Sequence, residues 1–289
     1  MQESDPSNSF ALVLTAVITS SLSLVSSIVI LTTFLTSRRI RENAFFFWVF
    51  HLAIVDFFLS MGSLFNWFKA TDIQCTLFSV FTGYGIMGSY TIVTCIALFL
   101  LKTIKREINE SIIYTKKHKI ITGIYIIITI LCIGPIFTSS YGVGTVFCWL
   151  KTDINVASLF WTTIEYYIPI AISIPMITYL YYKTYREVTS DKFHPKSIRV
   201  LLLIPLLYII TNYFAVADRI LSYPEDSSLF VKIGHILMRQ LQGFYHCIIY
   251  GYSYVKSNFM HESLISDKRR KLRRENGKEE DSSESVISF

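Results

Sequence analysis

The sequence predicts an all-α membrane protein: a bundle of seven transmembrane helices, N-terminus outside and C-terminus cytoplasmic. Three observations carry that expectation. The 289 residues are 52% hydrophobic, with 22 Phe and 18 Tyr against 17% charged residues and a mean hydropathy of +0.45, which disfavours a soluble globular class. Apolar runs with few charges recur near residues 10-35, 44-68, 77-101, 120-138, 157-182, 198-221 and 231-254. These runs lack the alternation of apolar and polar residues that barrel strands show, so the backbone in hydrocarbon must be satisfied within helices.

A helix rises ~1.5 Å per residue, so ~20 residues cross a hydrocarbon core of ~30 Å. Every run except the short fourth meets that length comfortably. Residues 1-9, MQESDPSNS, hold acidic residues and no Lys or Arg, and are too few for an extracellular domain. The first basic residue is Arg38, so nothing resembles the basic opening of a cleaved signal peptide, and the first run reads as a retained helix. SRRIRE at 37-42 then leads into the second run, where Asp56 lies roughly midway.

The connection at 102-119 carries Lys102, Lys105, Arg106, Lys116, Lys117 and Lys119, and that at 183-199 carries Lys183, Arg186, Lys192, Lys196 and Arg199. With SRRIRE and the DKRRKLRR of the tail, these lie on one side, which the positive-inside rule makes cytoplasmic. Anionic lipid headgroups or an acidic protein face suit that surface equally. Prolines mark expected bends at Pro135 in the fourth run, Pro169 and Pro175 in the fifth, and Pro205 in the sixth. The domain plan is a short extracellular segment, 1-9, a seven-helix domain, 10-254, an amphipathic membrane-surface helix, 255-265, and a disordered tail, 266-289. Ser282, Ser283, Ser285 and Ser288 in that tail suit phosphorylation, so a kinase or an arrestin-like regulator is an expected partner there.

Of five cysteines, Cys75 precedes the third run and Cys148 sits in the second outer connection, both on the oxidising side. A bridge there would hold the loop as a partial lid; the alternative is two free thiols. Cys95, Cys132 and Cys247 fall within runs and read as buried thiols. The only glycosylation sequon, at Asn109, is on the cytoplasmic side.

Ionisable residues inside the runs are the functional candidates, because a charge in hydrocarbon is costly and faces the bundle interior. Asp56 is one. In the seventh run His235, Arg239, Gln242, His246 and Tyr250 are spaced by four, three, four and four residues, a stripe down one helical face. Arg239 and His235 on that stripe, with Glu165 of the fifth run and Asp218 and Arg219 of the sixth, form the expected ligand pocket. Asp56, Asn212, Gln242, His246 and Tyr250 form the expected switch deeper in the bundle. Two converging arginines would favour an anionic ligand, since guanidinium is a fork of donors suited to carboxylate or phosphate. An Arg239–Glu165 salt bridge would remove much of that argument, and Asp218 and Arg219 would equally serve by snorkelling to headgroups.

Enzymatic readings fare poorly. There is no HExxH, no P-loop and no GxSxG, and the histidines lack ligand spacing on a shared helix. No catalytic residue, metal or cofactor is expected, and no nucleic acid. Between Lys232 and Lys256 the seventh run holds no lysine for a retinal Schiff base.

Several motifs together resemble a G-protein-coupled receptor: LAIVD ending at Asp56, Cys75 heading the third run, the Cys148-Trp149 pair followed by WTTIEYYIPI, and LQGFYHCIIYG in the seventh. The last three are similar to the cyclic-AMP-receptor-like group of amoebae and other microbial eukaryotes. The likeness covers residues 10 to about 260. It implies a Cys75–Cys148 disulfide, a buried second-helix acid at Asp56, and a seventh-helix signature of Gln242, Gly243, Phe244, Tyr250 and Gly251. An asparagine commonly occupies the family position of His246, and LFLLKTIKRE replaces the Asp-Arg-Tyr triplet of rhodopsin-like receptors. The implied function is a plasma-membrane receptor that binds an extracellular small molecule, cyclic AMP among the candidates, and promotes nucleotide exchange on a heterotrimeric G protein. Competing expectations are a transporter or channel using the same polar stripe, and a receptor-shaped protein that no longer couples.

Overall fold

A computed structural model describes residues 6–65, 71–105, 110–143, 148–151, 156–190, 202–221 and 229–252. The chain divides into two units, Met1–Ile249 and Tyr250–Phe289; the bundle described below belongs to the first. The amphipathic segment and tail expected after residue 254 lie outside the described residues.

The described elements are α1 (Pro6–Thr36), α2 (Arg38–Glu42), α3 (Ala44–Phe65), α4 (Asp72–Ile104), α5 (Glu110–Phe137), strands β1 (Tyr141–Val143) and β2 (Cys148–Leu150), then α6 (Val156–Thr162), α7 (Ile168–Ser190), α8 (Leu203–Leu221) and α9 (Leu229–Gln240). A π-helical turn, Thr163–Tyr167, joins α6 to α7. Five helical stretches are long and apolar enough to cross a membrane: Phe10–Thr36, Phe45–Phe65, Asp72–Ile104, Lys117–Phe137 and Val156–Thr189, with a shorter apolar helix at Leu203–Ala217. The protein is a helical membrane protein.

Helix α4 is the centre, and α3, α5, α7, α8 and both strands pack against it. Its start is fixed by a capping box in which Thr71 Oγ1 accepts from Gln74 N–H and the Gln74 side chain accepts from Thr71 N–H. Small residues let α3 approach closely. A Cβ placed on Gly85 would fall 2.5 Å from Leu59 Cβ, and one on Gly88 would overlap Val55. Lipid offers no hydrophobic drive between helices, so this backbone proximity supplies dispersion contact instead.

Three features depart from the sequence expectation. The short fourth run belongs to a 28-residue helix, because α5 begins at Glu110 and carries its polar residues before the apolar window. Lys117, assigned by sequence to a basic connection, is buried in α5 with its ammonium 4.7 Å from the Phe47 ring centroid, a cation–π contact. Residues 141–150 contain an antiparallel hairpin, with Tyr141 opposite Leu150, Gly142 opposite Trp149 and Val143 opposite Cys148.

That hairpin begins from the end of α5. Ser139 takes a positive φ of 51°, Ser140 N–H donates to Pro135 O and Ser139 N–H donates to Ile136 O, the pairings of a Schellman cap. Lys151 closes the turn, its Nζ donating to Ser139 O at 2.9 Å and its N–H to Ser140 O. The ammonium also complements the negative end of the helix dipole. The Cys75–Cys148 disulfide, Cα–Cα 5.3 Å, ties β2 to the first turn of α4. Cys95, Cys132 and Cys247 are free.

The π-turn has a local cause. Pro169 has no N–H to give Glu165 O, and its ring clashes with that carbonyl in α geometry. The turn widens, and Ile168 N–H bonds to Thr163 O five residues back.

Candidate functional site

Polar side chains gather in three places along the interior of the first unit. The deepest from the hairpin is a pair. Asp56 of α3 and His246 of the helical segment 242–252 meet at 2.6 Å, Oδ2 to Nδ1, with both side chains 1% exposed. Among the described residues Asp56 Oδ1 and His246 Nε2 have no hydrogen-bond partner, nor has Gln242 Nε2 nearby in sequence. Asp56 and His246 were each singled out by polarity alone; the fold makes them one unit.

Serines extend this pair toward α1. Ser60 Oγ lies 2.8 Å from Asp56 O and 3.0 Å from Ser23 Oγ. A Cβ on Gly243 would sit 2.5 Å from Ser23 Oγ and 3.2 Å from Ser23 O, so the last helix is pressed against α1 where glycine stands. Gln240 bridges above, accepting from Ser20 Oγ at 3.3 Å and donating to Ser63 Oγ at 2.7 Å. These bonds join α1, α3 and the last helix through groups that hydrocarbon would otherwise leave unsatisfied.

The second place surrounds Arg239 on α9. Its guanidinium stands beside the Tyr90 hydroxyl of α4 and within electrostatic reach of Tyr166 in the π-turn and Tyr208 on α8. The Tyr90 and Tyr208 rings meet edge to face at 5.7 Å, and Tyr166 packs the same way on Trp149 at 5.5 Å. Tyr166 OH donates to Ala215 O at 3.4 Å, whereas the Tyr90 hydroxyl against Arg239, and the Tyr208 hydroxyl beside Ser173 and Asn212, fall short of well-formed hydrogen bonds among the described residues. Asn212 is buried, but its Nδ2 donates to Tyr208 O on its own helix at 2.8 Å.

The third place lies under the hairpin. Glu165, 0% exposed, meets Tyr141 OH at 3.1 Å through Oε1, with the Trp149 indole beside it and Cys132 close by. The same phenol donates to Cys132 O at 3.0 Å. Burial first, and Glu165 second, raise the Tyr141 phenol above its ordinary range, so it stays protonated. One phenolic proton cannot serve two acceptors fully; a protonated Glu165 donating to the phenol oxygen completes both bonds.

Of the residues expected to line one pocket, Glu165 is engaged with Tyr141, and Arg239 lies among tyrosines, with Glu165 not among the groups acting on it. His235 is half-buried on α9. Asp218 and Arg219 stand in the last turn of α8 with side chains outside the described residues. Tyr250 opens the second unit. His51 makes an interhelical hydrogen bond to Tyr125 OH at 2.7 Å. Among the described residues no three His, Cys, Asp or Glu side chains gather as metal ligands.

Tyr90, Tyr208 and Ser173 escaped the sequence reading. A phenol in an apolar run looks the same whether it faces lipid or the interior, and Tyr179, Tyr182 and Tyr213 do remain exposed. No protein-family model matches the chain, and no curated protein matches it.

Proposed function

We propose that the protein is a seven-helix receptor of the plasma membrane that binds an extracellular small molecule and promotes nucleotide exchange on a heterotrimeric G protein. The observation that supports this best is the stripe on the last helix. It carries Arg239 toward the hairpin and, seven residues on, His246 locked to Asp56. Seven residues of helix span about 10 Å, so a ligand acting on Arg239 can bias a helix whose far half is held by a breakable polar pair.

The mechanism is a population shift. Ligand favours one packing of the last helix against α1 and α3, and a G protein at the basic end favours the same packing. The motifs LAIVD, Cys148-Trp149, WTTIEYYIPI and LQGFYHCIIYG favour this class, and cyclic AMP is a candidate ligand by the same resemblance. In this reading anionic lipids and a tail-directed kinase or arrestin-like protein act at the inner face.

A second reading is a transporter or channel, favoured by Asp56 Oδ1 and His246 Nε2 standing unpartnered beside the serines of α1 and α3 as a proton path would require. Nucleotide exchange on a panel of G proteins decides the matter, in membranes containing the full chain, with and without cyclic AMP, against Arg239→Ala. Exchange that depends on the chain sustains the receptor. Absence of exchange with every G protein, together with a proton or ion current, replaces it by the transporter.

A further inference from the structure

Arg239 is half-buried on α9, with the Tyr90, Tyr166 and Tyr208 side chains acting on its guanidinium. A guanidinium there carries five N–H donors and no acceptor. Around it, Tyr90 is 3% exposed with its hydroxyl against the guanidinium, while Tyr208, 1% exposed, holds its hydroxyl beside Ser173, 6% exposed, and Asn212; none of the three hydroxyls completes a well-formed hydrogen bond among the described residues. Tyr90 comes from α4, Ser173 from α7, Tyr208 from α8 and Arg239 from α9, so four helices converge.

Neither buried carboxylate among the described residues serves as counter-ion. Asp56 is paired with His246, and Glu165 with Tyr141. Asn212 on α8 donates its Nδ2 to Tyr208 O and has its side chain beside the Tyr208 hydroxyl. Among the described residues the site therefore holds a cation with phenol oxygens beside it, three hydroxyls whose bonds are incomplete, and no carboxylate facing the charge. Buried polar groups are almost always satisfied, and a charge in a membrane interior is paired. Among the described residues the charge has no counter-ion, and an anionic ligand would supply one.

We infer that Arg239, with the hydroxyls of Tyr90, Tyr208 and Ser173, binds the anionic group of a small molecule, a carboxylate or a phosphate. A tetrahedral or planar oxyanion accepts two guanidinium N–H bonds in parallel and keeps lone pairs for the three hydroxyls. Free inorganic anion and the acidic group of an organic ligand share this chemistry. The inference deepens the receptor reading, on which it rests for the side from which the ligand arrives. A purely structural arginine, held by the Tyr90 oxygen, would leave anion affinity indifferent to the hydroxyls, and that difference is what the test uses.

The full chain in lipid nanodiscs is titrated at constant ionic strength with chloride, phosphate, acetate and cyclic AMP, with adenosine as the uncharged control, and thermal unfolding is followed. A stabilisation by at least one anion and not by adenosine is expected. It should vanish in Arg239→Gln, and its half-saturating concentration should rise about 10-fold or more in Tyr90→Phe and in Tyr208→Phe. Should Arg239→Gln fail to fold, the two phenylalanine variants decide alone, because each removes one oxygen and no volume of ring. Equal half-saturation in wild type and both phenylalanine variants, or no anion effect in the wild type, overturns the site. Stabilisation by chloride or phosphate alone keeps the site and assigns it to a free anion; stabilisation by cyclic AMP or acetate at lower concentration assigns it to an organic ligand. Arg239-dependent binding without nucleotide exchange retains the site and sets aside the receptor, whereas exchange without anion binding does the reverse.

Discussion

At the scale of single residues, the Asp56–His246 contact sets the sharpest expectation. Both groups are sealed from solvent, so removing one strands the other. Losing one partner of a buried pair costs about 3–5 kcal/mol, more than the net value of the pair itself. His246→Leu should therefore lower the thermal midpoint strongly, His246→Asn less because an amide N–H can still reach Asp56, and Asp56→Asn with His246→Leu less than the sum of the single changes. Additive losses in that cycle, read by thermal unfolding in nanodiscs, would show that the two side chains do not act together. Glu165 makes the opposite expectation. If it is the protonated donor to Tyr141, Glu165→Gln presents an N–H in the same place and stays within about 1 kcal/mol of wild type, while Glu165→Ala loses about 1–3 kcal/mol by leaving the phenol half-satisfied. A Gln variant as damaged as the Ala variant would mean that the carboxylate charge itself is required there.

At the scale of elements, glycine separates helices that must touch from helices that need not. A methyl at Gly88 overlaps Val55 on α3, while Gly123 on α5 has nothing within 4 Å. Gly88→Ala should cost about 1–3 kcal/mol as overpacking, and Gly123→Ala should be neutral or stabilise by up to about 1 kcal/mol through helix propensity; the two midpoints measured side by side test this. Much of this level was legible in the sequence. Of the seven expected runs, five located helices of membrane length and a sixth the shorter Leu203–Ala217, because length and hydropathy are properties of each segment alone. The hairpin was not legible: its strands are three residues each, and they exist because a Schellman turn at Ser139, Lys151 and the Cys148 bridge return the chain on itself. Nor was the π-turn, since Pro169 announced a bend without saying whether the helix would kink or widen. The site was half legible. Polarity marked Asp56, His246, Glu165 and Arg239, but their partners are fixed by helix packing, which periodicity does not encode.

At the scale of the whole molecule, two independent arguments bear on orientation. The disulfide needs an oxidising compartment, and it sits at the end of the bundle that holds the start of α4, the hairpin and the end of α5. Basic residues crowd the other end, with Arg38 and Arg41 on α2, Lys102 and Lys105 at the close of α4, and Lys183 and Arg186 near the close of α7, an end the positive-inside rule would assign to the cytoplasm. Redox chemistry and charge asymmetry have no common cause, so their agreement carries weight that neither has alone. The expectation is that the hairpin end faces outside. It can be read in intact cells with a membrane-impermeant maleimide, using single cysteines placed at Val156, 83% exposed at the start of α6, and at Arg38, whose side chain is 87% exposed. Val156→Cys should label directly and Arg38→Cys only after permeabilisation, with the unsubstituted chain giving the background from Cys95, Cys132 and Cys247. The reverse pattern would put Cys75 and Cys148 in a reducing compartment, where the bridge would not persist, and would turn the hairpin end toward the cytoplasm, so that an extracellular ligand and an inner G protein could no longer both be served by this bundle.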